Sequence, residues 1–366
     1  MTVYISLLVF VFLCGTILVI FQNSKSARIL FLFLAFLSCT LVIGLRGYNV
    51  GEDTLHYITI FNSADNVSLG QIFTSKGFRT PFYTDNYGFT DSIEGGFLIW
   101  CKFIRLFSNN IQVYFLLTSG LTCFLFAKFI YDNCKDDVFF PTLVFLCEST
   151  FMMSFNLVRE MLACAIVVQS YNLFINKHLY KGLMCILIAS LIHNTALISL
   201  IWVPILIYKP QDRTKFFKYT ALLSFALPIM SLAFQGPITK LFPRYTAYYT
   251  TNFWGSTLGK SAILLVIELV AIIFMYKKNF IVQNSAKLSL LTIIYIAFEL
   301  GGLKVVMLSR IALYFRAYLM LFFNKWFDYY NSNFKFLLKI IIGILLILLY
   351  ISYASTSSRA YTFFWD

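Results

Sequence analysis

"TVYISLLVFVFLCGTILVIF", residues 2–21, runs for twenty residues without a charge. At about 1.5 Å per helical residue it spans roughly 30 Å of hydrocarbon. Only a helix satisfies its own backbone in that setting. No positive residue precedes it and no small-residue cleavage pattern follows, so it reads as a retained first span and not a signal peptide. The rest of the 366-residue chain continues in kind: 60% of residues are hydrophobic, 12% are charged and 41 are phenylalanine. Such a composition excludes a soluble globular domain and predicts an all-α, polytopic integral membrane protein.

Further apolar runs lie at 28–45, 111–131, 138–155, 159–175, 182–208, 216–235, 261–276, 287–301, 310–323 and 336–353. The run 182–208 is too long for one ordinary span and is interrupted by "IHNT", so it reads as two short helices meeting near His193. This gives about 11–12 transmembrane helices in a single membrane domain, residues 1–366. The short connections 23–28, 176–181, 209–218, 277–287 and 325–339 are rich in lysine and arginine, which assigns them to the cytoplasm; "DNCKDD" (132–137) is the acidic exception. The parity then requires "EGGFLIWCKFIRLFS" (94–108), with Lys102 and Arg105, to lie along the interface as an amphipathic helix. Both termini and two large loops, 46–110 and 236–260, are expected outside a bacterial cytoplasmic membrane.

That topology separates the two kinds of cation. Of 19 lysines, 14 fall on the cytoplasmic side, whereas eight of ten arginines (Arg46, Arg79, Arg105, Arg159, Arg244, Arg310, Arg316 and Arg359) fall outside. Lysine suffices as a topological charge, while the arginine fork suits phosphate. The competing reading is that these arginines pair with Glu52, Asp53 or Glu160 to support the fold. The net charge of +13 is accounted for by topology and an anionic lipid substrate, without nucleic acid.

Four polar clusters stand out at the expected outer ends of spans. In "GLRGYNVGEDTLHYITIFN" (44–62), Arg46 sits at the membrane lip, Glu52 and Asp53 are adjacent acids suited to a general base, and Tyr57 follows. "FNLVREML" (155–162) carries Asn156, Arg159 and Glu160; sequence neighbours on a helix point apart, so Arg159 and Glu160 must each find a partner elsewhere. His193 lies at the expected helix break, where it can donate to phosphate or act as acid or base. "GLKVVMLSRIALYFRAY" (302–318) brings Lys304, Arg310, Tyr314 and Arg316 into an apolar run, and "PRYTAYYTTNFWG" (243–255) adds Arg244. Histidines at 56, 178 and 193 and the eight dispersed cysteines give neither metal-ligand spacing nor a disulfide framework. No metal or other cofactor is expected.

"LRGYNVGEDTLHYITIFN", "EGGFLIW", "NLVRE", "KHLYKGLMCILIASLIHNTALISL" and "SRIALYF", in that order and spacing, resemble the EpsG-like group of Wzy polymerases over about residues 44–320. One departure is Glu160, where the family pattern has glutamine after the arginine. The resemblance implies a fold similar to GT-C lipid-sugar glycosyltransferases. It also implies a surface-polysaccharide polymerase of the O-antigen, capsule or exopolysaccharide type, acting on undecaprenyl-pyrophosphate-linked oligosaccharides. The growing glycan passes to the non-reducing end of the next lipid-linked unit. A chain-length regulator and a flippase are implied as partners.

In that frame Arg46, Arg159 and Arg310, then Arg244 and Arg316, are expected to hold the pyrophosphate, with Tyr57, Asn156 and Tyr314 in the same binding surface. Asp53, then Glu52, is expected to activate the acceptor, with His193 a phosphate donor or the alternative base. The rival readings are a lipid-linked oligosaccharide flippase, a polysaccharide ligase and an outer-leaflet acyltransferase. A flippase is expected to show internal repeats, and none is evident.

Overall fold

A computed structural model of the protein describes residues 1–75, 78–84, 90–241, 258–277, 285–355 and 360–366. The two long helices that open the chain are α1 (Thr2–Ile20) and α2 (Lys25–Gly44), the second started by Ser24 Oγ, which accepts from the Ala27 amide. Then come α3 (Thr54–Ser63), α4 (Leu69–Thr74), strands β1 (Arg79–Thr84) and β2 (Thr90–Glu94), and α5 (Gly95–Arg105). They are followed by α6 (Ile111–Asn133), α7 (Phe139–Cys147), α8 (Thr150–Met153), α9 (Val158–Val167), α10 (Ser170–Ile175) and α11 (Leu179–Ile192). A 3-10 run at Asn194–Trp202 leads to α12 (Val203–Ile207), α13 (Arg213–Ala233) and α14 (Gln235–Leu241). The last helices are α15 (Leu258–Lys277), α16 (Ser285–Gly301), α17 (Val306–Arg316), α18 (Leu319–Phe327) and α19 (Ser332–Ala354).

Among the described residues, six helical segments are long and apolar enough to cross a membrane: Thr2–Ile20, Lys25–Gly44, Ile111–Asn133, Val158–Ile175, Arg213–Ala233 and Ser332–Ala354. The pair α17 and α18, bent by 55°, makes a seventh if counted as one broken span. The protein is thus the all-α polytopic membrane protein that its hydropathy predicts. The break near His193 is where the sequence puts it, since α11 stops at Ile192 and His193 takes an extended conformation.

Three local features differ from the sequence expectation. The 138–155 run is not one helix: after α7, Glu148 and Ser149 interrupt it, and Ser149 adopts a left-handed φ of 62°. The 310–323 run begins earlier, at Val306, and bends between α17 and α18. Finally, the loop 46–110 holds an antiparallel hairpin that its composition does not announce, with Arg79 registered opposite Glu94.

The chain divides into two compact units, residues 1–197 with 350–366, and residues 198–349. In the first, the loop 46–110 is itself folded. Tyr57, Ile60, Phe61, Ile72, Ile93, Phe97, Leu98 and Cys101 form a buried cluster that continues into Tyr114 and Phe115 of α6. Helix α5 turns Phe97, Leu98, Cys101 and Ile104 inward and leaves Phe103 exposed, the amphipathic pattern expected of it. Its eleven residues are too short to cross a bilayer. In the same unit, the C-terminal residues run antiparallel to the exit of α2, through Gly47 N–H to Thr362 O (2.8 Å) and Phe364 N–H to Leu45 O (3.1 Å). The Tyr361 hydroxyl donates to Val42 O at 2.9 Å. In the second unit, Phe298 of α16 stacks on Phe315 of α17, and Trp202 packs edge-on against Phe315 and Tyr318.

Glycines 95 and 96 decide how closely α5 approaches its neighbours. A Cβ at Gly96 would lie 2.5 Å from the backbone oxygen of Leu191 in α11. Gly96→Ala is therefore expected to destabilise the protein by about 1–3 kcal/mol through overpacking, despite a gain of about 1 kcal/mol in helix propensity. Thermal unfolding in detergent measures it, and an unchanged melting temperature contradicts the close-packing argument.

Candidate active site

The glycine pair and the hairpin register act together. One brings the start of α5 against the last turn of α11, and the other brings Arg79 across from Glu94. Glu94 therefore ends beside residues that are remote in sequence. Arg79 Nη1 donates to Glu94 Oε1 and Arg159 Nη1 donates to Glu94 Oε2, each at 2.6 Å. The Asn194 amide donates to Oε1 at 3.3 Å, and His193 Nδ1 lies 3.4 Å from the same oxygen. The Glu94 side chain is 1% exposed, against 21% for Arg79 and 16% each for Arg159 and His193. The acid is the buried hub, and the cationic groups form its partly exposed rim.

Burial pushes the Glu94 carboxyl up. The His193 imidazole and the charges of Arg159 and Arg79 outweigh that effect and hold it well below the usual carboxylate range. The two arginines are anchored differently. Arg79 also donates from Nε to Ser92 Oγ at 3.0 Å and from Nη2 to Ser92 O, so its whole fork is committed to the hairpin. Arg159 comes from the first turn of α9, next to the unwound residues that precede it.

Arg159 and Glu160 find separate partners, as helix geometry demands. Glu160 is buried, and its Oε2 lies 4.0 Å from His193 Nε2. His193 is thus flanked by two carboxylates, one facing each ring nitrogen.

The opening polar stretch reaches the same place. The Arg159 amide donates to the Tyr57 hydroxyl at 3.4 Å. Burial raises the Tyr57 phenol, Arg159 opposes the rise and Asp53 adds to it, so these three residues share one electrostatic neighbourhood. The Glu52 amide donates to Asn156 Oδ1 at 3.2 Å. Gly51 makes this approach feasible: its φ is 91°, and a Cβ there would sit 2.7 Å from Phe155 O. The Glu52 side chain is exposed and Asp53 is half-buried at the N-terminus of α3.

Of the residues expected from sequence, Glu52, Asp53, Tyr57, Asn156, Arg159 and His193 belong to this neighbourhood. Arg46, expected to face a pyrophosphate, is instead fully buried, with its guanidinium 4.2 Å from the Phe115 ring centroid. Arg310, Tyr314 and Arg316 all lie on α17 in the second unit. There Tyr314 is buried, and Arg316 pairs with the buried Glu299 (Nη2 to Oε2, 3.0 Å) above the Tyr295 ring. Arg316 is therefore held in an internal ion pair, the alternative that the sequence left open for these arginines, but with an acid not considered there. Arg244 lies outside the described residues. Among the described residues, no three His, Cys, Asp or Glu side chains group closely enough to hold a metal ion.

Sequence reasoning missed Glu94 and the role of Arg79. The signal available was the acid immediately before "GG" in "EGGFLIW", a charge entering an apolar helix beside two residues that permit close packing.

In this multi-helix membrane fold, ionised side chains meet on one buried carboxylate beside unwound ends of apolar helices. The chain belongs to the EpsG family, whose model matches residues 29–365. Membership gives it a membrane polysaccharide-polymerase-like role, that of a glycosyltransferase-like polymerase. No curated protein and no solved structure matches it significantly.

Removing the hub leaves its cations uncompensated. Glu94→Ala is expected to cost about 3–5 kcal/mol, read as a loss of melting temperature. The pH dependence has a definite sign. Because the folded carboxyl is depressed, its contribution is complete above its unfolded pKa of about 4.3 and is lost as pH falls through the folded value. The stability gap between wild type and Glu94→Gln should be constant above about pH 5 and narrow in acid, as thermal melts across pH will show.

Proposed function

We propose that the protein is a polysaccharide repeat-unit polymerase. It transfers a growing glycan from undecaprenyl pyrophosphate to the non-reducing end of a lipid-linked oligosaccharide on the outer face of a bacterial cytoplasmic membrane. The observation that carries this reading is the convergence of Arg159, His193 and the Asp53–Tyr57 segment around Glu94. A cation for the departing phosphate and groups able to take the acceptor proton share one neighbourhood.

In the reaction, the acceptor hydroxyl oxygen bonds to the anomeric carbon of the donor as the bond to pyrophosphate breaks. The electron pair leaves with the lipid pyrophosphate, whose negative charge grows as the bond lengthens. Arg159, fixed through Nη1 and its own backbone amide, is preorganised to stabilise that charge in the transition state. The hydroxyl proton goes to Asp53 or Glu52, as the sequence reading favours, or to His193. Arginine supplies the charge that a divalent cation supplies in other phosphate sites, so activity is expected to persist in a chelator.

The test is polymerisation of a defined undecaprenyl-pyrophosphate repeat unit by the purified protein in nanodiscs. Arg159→Ala should lower kcat by about 10²–10³, and Arg159→Lys should recover little, because lysine lacks the planar fork. A folded Arg159→Ala variant with wild-type kcat contradicts the assignment. In a deletion strain, lipid-linked single repeats facing outward indicate the polymerase, and the same units retained on the inner leaflet indicate a flippase.

A further inference from the structure

Arg46 is a charge without a counter-ion among the described residues. It is 0% exposed, and its Nε, Nη1 and Nη2 have no hydrogen-bond acceptor among the described residues. Burial lowers the guanidinium to about 10, which leaves it charged at neutral pH. Phe115 at 4.2 Å and Phe155 at 5.7 Å cover it with aromatic faces. Such contacts offset only part of the cost of burying an ion. The Tyr114 hydroxyl close by is likewise buried without a partner.

Beside Arg46 is a cavity of about 10 Å³, bounded by Ser119 and Thr122 of α6 and by Ser154 and Val158 at the two sides of the break between α8 and α9. The hydroxyls on its wall have already spent their protons. Thr122 Oγ1 donates to Thr118 O at 2.9 Å, Ser154 Oγ to Thr150 O at 3.1 Å, and Ser119 Oγ to Thr40 O or Leu116 O at 3.3 Å. Their oxygens retain lone pairs, so a wall that is otherwise apolar, with Ile43, Phe115, Val158 and Met161, carries the Arg46 donors and a few hydroxyl acceptors. An anion accepts only, and would face those lone pairs. Water donates and accepts, and about 10–15 Å³ is the room that one water requires.

We propose that this cavity is a built hydration site in which a single internal water accepts from Arg46 and donates to the hydroxyl oxygens of Ser154 and Thr122. The water joins the exit of α2 to the broken helix between Ser154 and Val158. Phe155, Asn156 and Arg159 all issue from that break, so the hydrated cation is a positioning element behind the candidate site. This assignment does not rest on the polymerase reading, since its test needs no substrate.

The test is a structure of the full chain in nanodiscs at a resolution that shows ordered water, determined in chloride and in bromide. One peak at about 3 Å from an Arg46 nitrogen and from a Ser154 or Thr122 oxygen, identical in both salts, is the expected result. A dry cavity overturns the proposal, and so does density that strengthens with bromide. A second measurement uses Thr122→Val with Ser154→Ala, which keeps the packing and removes the acceptors. The melting temperature should fall by about 2 °C or more, and an equal or higher value overturns the proposal.

Discussion

The carboxylate of Glu94 is the constraint on which the first unit depends. Three segments far apart in sequence (the β1 strand, the start of α9 and the pair His193–Asn194 that follows α11) reach a common point because each supplies a donor or a cation to two oxygen atoms. A buried carboxylate is costly alone, and two arginines near one another are costly alone. Together they compensate, and the hairpin, α5 and α9 then have a single arrangement that satisfies all three charges. The same interaction that ties the hairpin to α9 also orients Arg159 and His193.

The loop is consequently more than a connection between spans. Its apolar cluster runs from Tyr57 through Phe97 into Tyr114 and Phe115, so the loop and α6 share one core. Within that framework Arg79 is engaged with its own hairpin as well as with Glu94, whereas Arg159 reaches the same acid from the first turn of α9.

Much of the membrane architecture was legible in the sequence, because a run such as residues 2–20 admits only one structure in lipid. The break at His193 was legible too, since "IHNT" places polar groups inside a run too long for one helix. The separation of Arg159 from Glu160 followed from helical geometry. Glu94 was not legible as a hub, because its importance comes from hairpin register and from the approach of α5 to α11, and neither is periodic in sequence. Composition likewise could not show that Arg46 points inward: a cation at the end of a span looks the same whether it faces water or two phenylalanine rings. The interruption at Glu148–Ser149 was hidden because its left-handed residue is a serine and not the glycine that normally marks such a turn.

The first unit is assembled from the two extremes of the chain. Tyr350 donates to the backbone oxygen of Tyr4 at 3.0 Å, and residues 361–364 lie against the end of α2. During synthesis, the spans up to residue 197 emerge well before these last contacts become available. The strand-like contact that seals the exit of α2, just beside Arg46, thus forms only after the whole intervening unit has been made. A ribosome that stalls before residue 361 leaves the end of α2 without that contact, although the helices it packs among have already been made.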